Sequence, residues 1–268
     1  MSGPSVEVVA GGVAARRAFL AILWRDIFVT GKELGYFLSQ VTIQPLFMLL
    51  VFGKVLNAGG YVSDEYSRLF LPGVIALTAF VTALQTVALP LVMELSYTKE
   101  IEDRLLAPLP TYLVAVEKMV IAVLRSLVAA GLMFPVGALV LGSLPWHVER
   151  LPLLLVSLVL AGWIGAALGL ALATTVPPAK VNMVFAMILT PIMFTGATQY
   201  PWQSLDSIAW FKVLTAINPL TYASEAVRGA MVPHVPHIPP WLCLLVLVGA
   251  GTALSAVGVR GFLRRTIH

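Results

Sequence analysis

Side chains able to do covalent chemistry are few in this sequence, and their spacing does not assemble a reaction centre. A phosphate-cradling loop needs Gly-x-x-x-x-Gly-Lys-Ser/Thr, so that backbone N–H groups and one lysine surround the phosphates. The nearest fragment is Gly31-Lys32, but Glu33 follows it and no glycine-rich turn precedes it. There is no His-Glu-x-x-His pair for zinc. His234 and His237 have a spacing that suits a metal, yet prolines flank them and no carboxylate or cysteine lies near in sequence, which favours a loop role. The sequence therefore predicts no catalytic residue, no metal ligand and no cofactor held by this chain.

What polar chemistry remains sits in or beside long apolar stretches. Charges inside a membrane span are costly and are read as functional by default. Glu94 ends one such stretch, Glu117 and Lys118 begin the next, and Arg125 lies a turn or two deeper, where its long stem can snorkel to the interface. Interfacial placement accounts for the first three, and no relay of ionisable groups crosses the bilayer, which argues against an ion-coupled mechanism. Uncharged polar residues do share helical faces: Tyr36, Gln40 and Gln44 in the first span, Thr78, Thr82, Gln85 and Thr86 in the second, Asn182, Thr190, Thr195, Thr198 and Gln199 in the fifth. Gln40, Gln44, Thr82, Gln85 and Thr86 are candidates for lining a translocation path. The alternative is plain interhelical hydrogen bonding, worth about 0.6–2 kcal/mol each.

These residues must be positioned by helices in lipid. Of 268 residues, 59% are hydrophobic and 11% charged, against about 45–50% and 25% for a soluble domain. Uncharged stretches at 34–53, 69–93, 126–148, 151–179, 181–205 and 229–259 are each long enough to span, since a helix needs about 20 apolar residues to cross the hydrocarbon. Proline-rich sequence around His234 and His237 moves the start of the last span to about 239. Backbone groups in lipid must be satisfied internally, so continuous spans of this length are helices. The expected fold is all-α and polytopic: a tail and interfacial helix over 1–33, then a domain over 34–262 with spans near 34–56, 69–93, 119–142, 151–174, 181–200 and 239–262, and a tail over 263–268. Six spans put both termini on one side. That side would carry twelve of the seventeen Lys and Arg residues, which makes both termini cytoplasmic. The basic run Arg260 to Arg265 is an anchor against anionic headgroups. The single cysteine, Cys243, excludes an intrachain disulfide.

Three segments outside the spans carry information. Phe19, Leu20, Leu23, Ile27 and Phe28 recur at helical spacing among Arg16, Arg17, Arg25, Asp26 and Lys32, which predicts an amphipathic interfacial helix. The most charged stretch, 97–110, has an apolar stripe of Ile101, Leu105 and Leu106 ended by Pro108 and Pro110. It is either a short helix offered to a soluble partner or a solvated loop with its leucines under the membrane surface. The uncharged run 213–224 is too short to span and holds Asn218-Pro219 at its middle, where proline interrupts a helix. It is either a re-entrant segment or a helix lying on the surface.

Together these stretches resemble the ABC-2 type permeases, closest to the daunorubicin-resistance-type branch. The resemblance rests on Glu100, Glu102, Leu105, Leu106 and Pro108 followed by Glu117-Lys118, on Thr195-Gly196-Ala197 through Tyr200-Pro201 and Trp210, and on Asn218-Pro219-Leu220-Thr221-Tyr222-Ala223-Ser224-Glu225-Ala226-Val227-Arg228-Gly229. It implies paired permease subunits, identical or homologous, above two separate ABC ATPase subunits that hold ATP and magnesium. It implies a coupling helix at 97–110, with Lys99, Glu100, Glu102, Asp103, Arg104, Leu105 and Leu106 meeting the ATPase, and a second contact at Pro177 and Lys180. Where the family carries a glycine beside the coupling-helix glutamate, this chain reads Lys99-Glu100-Ile101-Glu102-Asp103. It further implies a re-entrant region over 201–229 marked by Asn218, Pro219, Tyr222, Glu225, Arg228 and Gly229. The expected role is export of an amphiphilic drug or lipid-linked molecule from a cell membrane, with lipids but no nucleic acid as further partners. The alternatives are a secondary transporter or a lipid-handling membrane protein without an ATPase.

Overall fold

The computed structural model of the chain describes residues 5–95, 110–142 and 148–267. Among them there is no strand. Six helices are long and apolar enough to cross a membrane, so the chain is an all-α polytopic membrane protein. The helices are α1 (Ser5–Lys32), α2 (Leu34–Ala58, with a π-helical stretch Leu49–Val55), α3 (Asp64–Met93), α4 (Thr111–Leu141), α5 (Leu151–Thr175), α6 (Val181–Thr195), α7 (Ala209–Ile217), α8 (Pro219–Met231) and α9 (Pro240–Ile267).

Local sequence sets the helix ends. Ser63 caps α3 by accepting from the Tyr66 N–H. Gly142, at φ 73°, closes α4 in the left-handed conformation that glycine tolerates. Helix α4 begins well before the predicted lipid-facing span, because regular helix continues through Glu117 and Lys118 back to Thr111. Helix α6 stops at Thr195, short of the predicted end at 200, and Ala197 just beyond it turns the backbone with φ 49°.

Burial divides the spans. The apolar windows of α3 and α5 are 72% and 67% buried, whereas those of α2 and α6 are 11% and 6% buried. The first two are therefore the core, and the last two expose most of their surface. Helix α3 packs on α4 and α5, and α9 covers the other side of α5. The α3–α5 approach is close because of two glycines. A Cβ on Gly165 would collide with the Phe80 carbonyl, and one on Gly169 would lie 2.6 Å from the Leu84 carbonyl oxygen. Small residues are how helices approach in lipid, where no hydrophobic force drives them together. Phe70, Ile75 and Phe80 of α3, Met133 of α4, Ile164 of α5 and Leu247 of α9 fill the remaining core.

The short helices behave differently from each other. Helix α7 exposes Trp210, Val213 and Ile217. Helix α8 is buried from Thr221 to Met231 except for Tyr222, and it packs against α3, α5 and α9. A surface helix cannot have that burial, so the second half of this pair is a core element. The break between them falls at Asn218-Pro219, as the proline requires: Asn218 accepts from the Leu220 N–H, and Pro219 takes the first helical position. Helix α1 occupies most of the 1–33 region and turns into α2 at Glu33. Its exposed face carries Leu20, Trp24 and Phe28. Cys243 is buried against the Ile238 carbonyl, as a packing residue.

Candidate functional site

Three places were expected to matter. The first, with Lys99, Glu100, Glu102, Asp103, Arg104, Leu105 and Leu106, lies outside the described residues. What is described is the pair of helices that lead into and out of it. Lys118 of α4 donates to Glu94, which follows α3, with N···O distances of 2.6 and 2.8 Å. On the neighbouring turn between α5 and α6, Pro177 and Lys180 are exposed. That turn is held from below by Arg265 of α9, which donates to the carbonyls of Ala173 (3.2 Å) and Val176 (2.9 Å), two acceptors that the end of α5 leaves open.

The second place is a cleft between α2 and α3, with Met193 of α6 at its edge. It gathers four of the five path candidates, Gln40, Gln44, Thr82 and Gln85. Thr86 faces a different cavity with Arg25, Glu94, Lys118 and Arg125. The hydroxyls of Thr78 and Thr86 donate within their own helix, to Val74 (2.8 Å) and Thr82 (2.7 Å), as Thr does in membrane helices. The three glutamines of the cleft line its walls, Gln40 and Gln44 exposed and Gln85 half-buried. The space between those walls is ≈ 40 Å³. One water needs about 10–15 Å³ by this measure, and ligand pockets run to about 300–1,000 Å³. The cleft has room for a few waters and is too small for a drug-sized ligand in this conformation. Its outer wall is the sparsely buried α2, interrupted by π-helical turns over Leu49–Val55, a feature found often at functional sites and hinges.

The third place is the junction of α6, α7 and α8. Glu225 and Arg228 are fully buried and form an ion pair one helical turn apart. A buried pair is stable only to the extent that its remaining lone pairs and protons are matched. Here the second Arg228 Nη donates to the Ala197 carbonyl at 2.8 Å, while Nε has no hydrogen-bond partner among the described residues. Glu225 Oε1 also accepts from the Trp202 N–H (3.1 Å), and its Oε2 accepts from the Ile238 N–H (3.0 Å). Asn218 ties the same corner to α6 by donating to the Ile192 carbonyl (2.7 Å) and to Thr195 Oγ1 (2.9 Å). Tyr222 donates to the Ala216 carbonyl at 2.8 Å, closing α8 back onto α7. Arg150, before α5, donates to the Gly229 carbonyl at 2.9 Å. Gly229 is itself required by its neighbour: an added Cβ would lie 2.8 Å from the His237 ring.

All six of the predicted motif residues thus meet in one buried, hydrogen-bonded corner. It has the layout of an anchor. The sequence of this corner and of the cleft belongs to a known pattern: the family model for the ABC-2 type transporter matches residues 17–232. The chain belongs to the ABC-2 type transporter family. The match takes in the α2–α3 cleft and the Glu225–Arg228 pair and ends at the close of α8. This ABC-2 chain is also 24% identical over 215 residues to a protein of Cyanophora paradoxa described as "Putative transport permease ycf38", which covers 78% of this chain and 72% of the relative.

Sequence reasoning missed how the ABC-2 motif works as a unit. Glu225 and Arg228 belong to the expected re-entrant motif, but nothing in the sequence pairs them with each other as a buried ion pair. Their signal was context: they follow Asn218-Pro219 in a stretch otherwise without charge from Val213 to Ser224. The roles of Arg150 and Arg265 had no local signal, because each reaches a carbonyl far along the chain.

Proposed function

We propose that this chain is the transmembrane permease subunit of an ABC exporter, which moves an amphiphilic drug or lipid-linked molecule outward with ATP hydrolysed by separate ATPase subunits. The observation that carries the reading is the ABC-2 match across residues 17–232. The small, glutamine-lined cleft behind a sparsely buried α2 supports it. In this reading the cargo passes along the α2–α3 face, between two permease copies or homologues, after α2 moves away from α3. Both termini lie in the cytoplasm of a cell membrane, as the Lys and Arg distribution favours. ATP and magnesium belong to the partner subunits. The coupling contacts are the 97–110 segment and the exposed Pro177–Lys180 turn. Helices α7 and α8 form the re-entrant region, with the Glu225–Arg228 corner as its fixed point.

The test is ATP hydrolysis and transport by the permease–ATPase complex in proteoliposomes. Replacing Glu100, Glu102 and Arg104 by alanine should uncouple the two, lowering stimulated hydrolysis while both proteins remain bound to the membrane. Unchanged hydrolysis and transport would remove the coupling assignment. Transport driven by an ion gradient in the absence of any ATPase would replace the exporter reading with a secondary transporter.

A further inference from the structure

On the side of the molecule where α1 lies, a cavity of ≈ 400 Å³ opens between α1, α2 and α4. It is separate from the glutamine-lined cleft, and its size is that of a true ligand site, about 300–1,000 Å³. Ile27, Leu34, Phe37, Ile121, Leu124 and Val128 give it apolar walls. Leu124 and Val128 are exposed on its outer edge, so it opens sideways toward where the bilayer lies.

One wall residue is charged. Arg125 of α4 lies with its guanidinium over the Phe37 ring, 4.6 Å from the centroid, and its Nε is buried with no hydrogen-bond partner among the described residues. An arginine at this depth in a span is costly unless something answers its charge. Arg125 also borders a second cavity of ≈ 230 Å³, which shares Thr30 and Ile121 with the first and is lined by Arg25, Asp26, Glu94 and Lys118. There Lys118 is already neutralised by Glu94. Asp26 lines that cavity and acts on Arg125 together with the exposed Glu33. Arg25, Lys118 and Arg125 thus face Asp26 and Glu94 of the lining and Glu33 beside it, so the charges balance and the open position is the unpartnered Arg125 Nε.

We infer that this pair of cavities is a binding site for an anionic phospholipid of the adjacent leaflet, with one acyl chain in the apolar cavity and the phosphate against Arg125 and Arg25. The arrangement follows from the open Arg125 donor, complementary in charge to phosphate, and from the order of the walls, apolar and laterally open outside, charged within. A planar guanidinium with unused donors matches phosphate oxygens, and basic pockets between spanning helices bind acidic headgroups. A bound lipid would also fill the contact between α1 and the two spans it touches, so α1 is held to the bundle through the lipid as well as directly. The inference does not depend on what the chain transports.

The experiment is native mass spectrometry of the purified full chain offered equimolar phosphatidylglycerol and phosphatidylcholine, with lipid retention read for each. The wild type should retain phosphatidylglycerol about tenfold over phosphatidylcholine, which corresponds to about 1.4 kcal/mol. Arg125→Gln should bring the ratio close to one. Arg125→Lys should keep part of the preference. Val128→Phe, which fills the apolar cavity and leaves every charge in place, should lower retention of both lipids. Lys54→Gln, an exposed cation near the far end of α2, should change neither. No preference in the wild type would overturn the inference. So would Arg125→Gln with the preference intact, or retention that responds to Lys54→Gln and not to Arg125. Should Arg125→Gln fail to fold, Val128→Phe with normal retention of both lipids would overturn it equally.

Discussion

Removing both members of the Glu225–Arg228 pair should cost clearly less than the sum of removing each alone. In Glu225→Gln the guanidinium keeps its bond to the Ala197 carbonyl but loses its counter-charge. The new amide must also turn an NH₂ toward either the Trp202 or the Ile238 N–H, which sets two donors against each other and leaves that N–H without an acceptor. An uncompensated charge of this kind costs about 3–5 kcal/mol, roughly a hundredfold to several thousandfold in the ratio of folded to unfolded chain. Arg228→Met leaves the carboxylate with its two backbone donors, so its cost should fall at the lower end of that range. The double variant Glu225→Met, Arg228→Met leaves no buried charge. Only the Trp202 and Ile238 N–H groups and the Ala197 carbonyl lose a partner, at about 1–3 kcal/mol each before any relaxation or water entry. The two changes should therefore be non-additive, with a coupling of about 0.5–3 kcal/mol. Unfolding of the four proteins in mixed micelles titrated with sodium dodecyl sulfate measures this. Single variants within about 1 kcal/mol of the wild type, or a double variant equal to the sum of the singles, would refute the reasoning that this corner is held by its charges.

Other parts of the structure make separable predictions. Arg265→Ala removes two charge-assisted bonds to the end of α5 and should cost about 1.5–3 kcal/mol in the same unfolding titration. Asn218→Ala removes the cap of α8 and its two bonds to α6, and should cost at least the roughly 1–2 kcal/mol of a lost cap. Gly165→Val should force α3 and α5 apart and destabilise by about 1–3 kcal/mol, seen as a shifted unfolding midpoint. Gln44→Leu and Gln85→Leu should leave stability within about 0.5 kcal/mol, since neither residue is fully buried, while transport by the complex with its ATPase falls.

The helices were legible because the membrane imposes a length on them, and uncharged runs of that length announce themselves. The α2–α3 cleft was legible for a related reason. Only a short turn separates these helices, so Gln40 and Gln44 on one and Thr82 and Gln85 on the other were bound to meet. Helix ends were less so. The polar first turns of α4 carry no apolar signal, and the early stop of α6 depends on one alanine in a conformation that alanine rarely adopts. The buried charges at Glu225 and Arg228 were illegible as such. Whether a helical acid and base face water or a core is decided by what folds over them, and here that is Ala197, Trp202 and Ile238, none of which looks polar in sequence.

Those three partners have a bearing on how the chain is made. All lie between the end of α6 and the start of α9, in the same stretch as the charges they answer. A segment that supplies its own counter-groups can neutralise itself while it is still leaving the ribosome, before the last span exists to cover it. The insertion machinery then receives a segment whose buried charges are already paired, ready to be tied to earlier elements by Asn218, by Arg150 and by packing on α3 and α5.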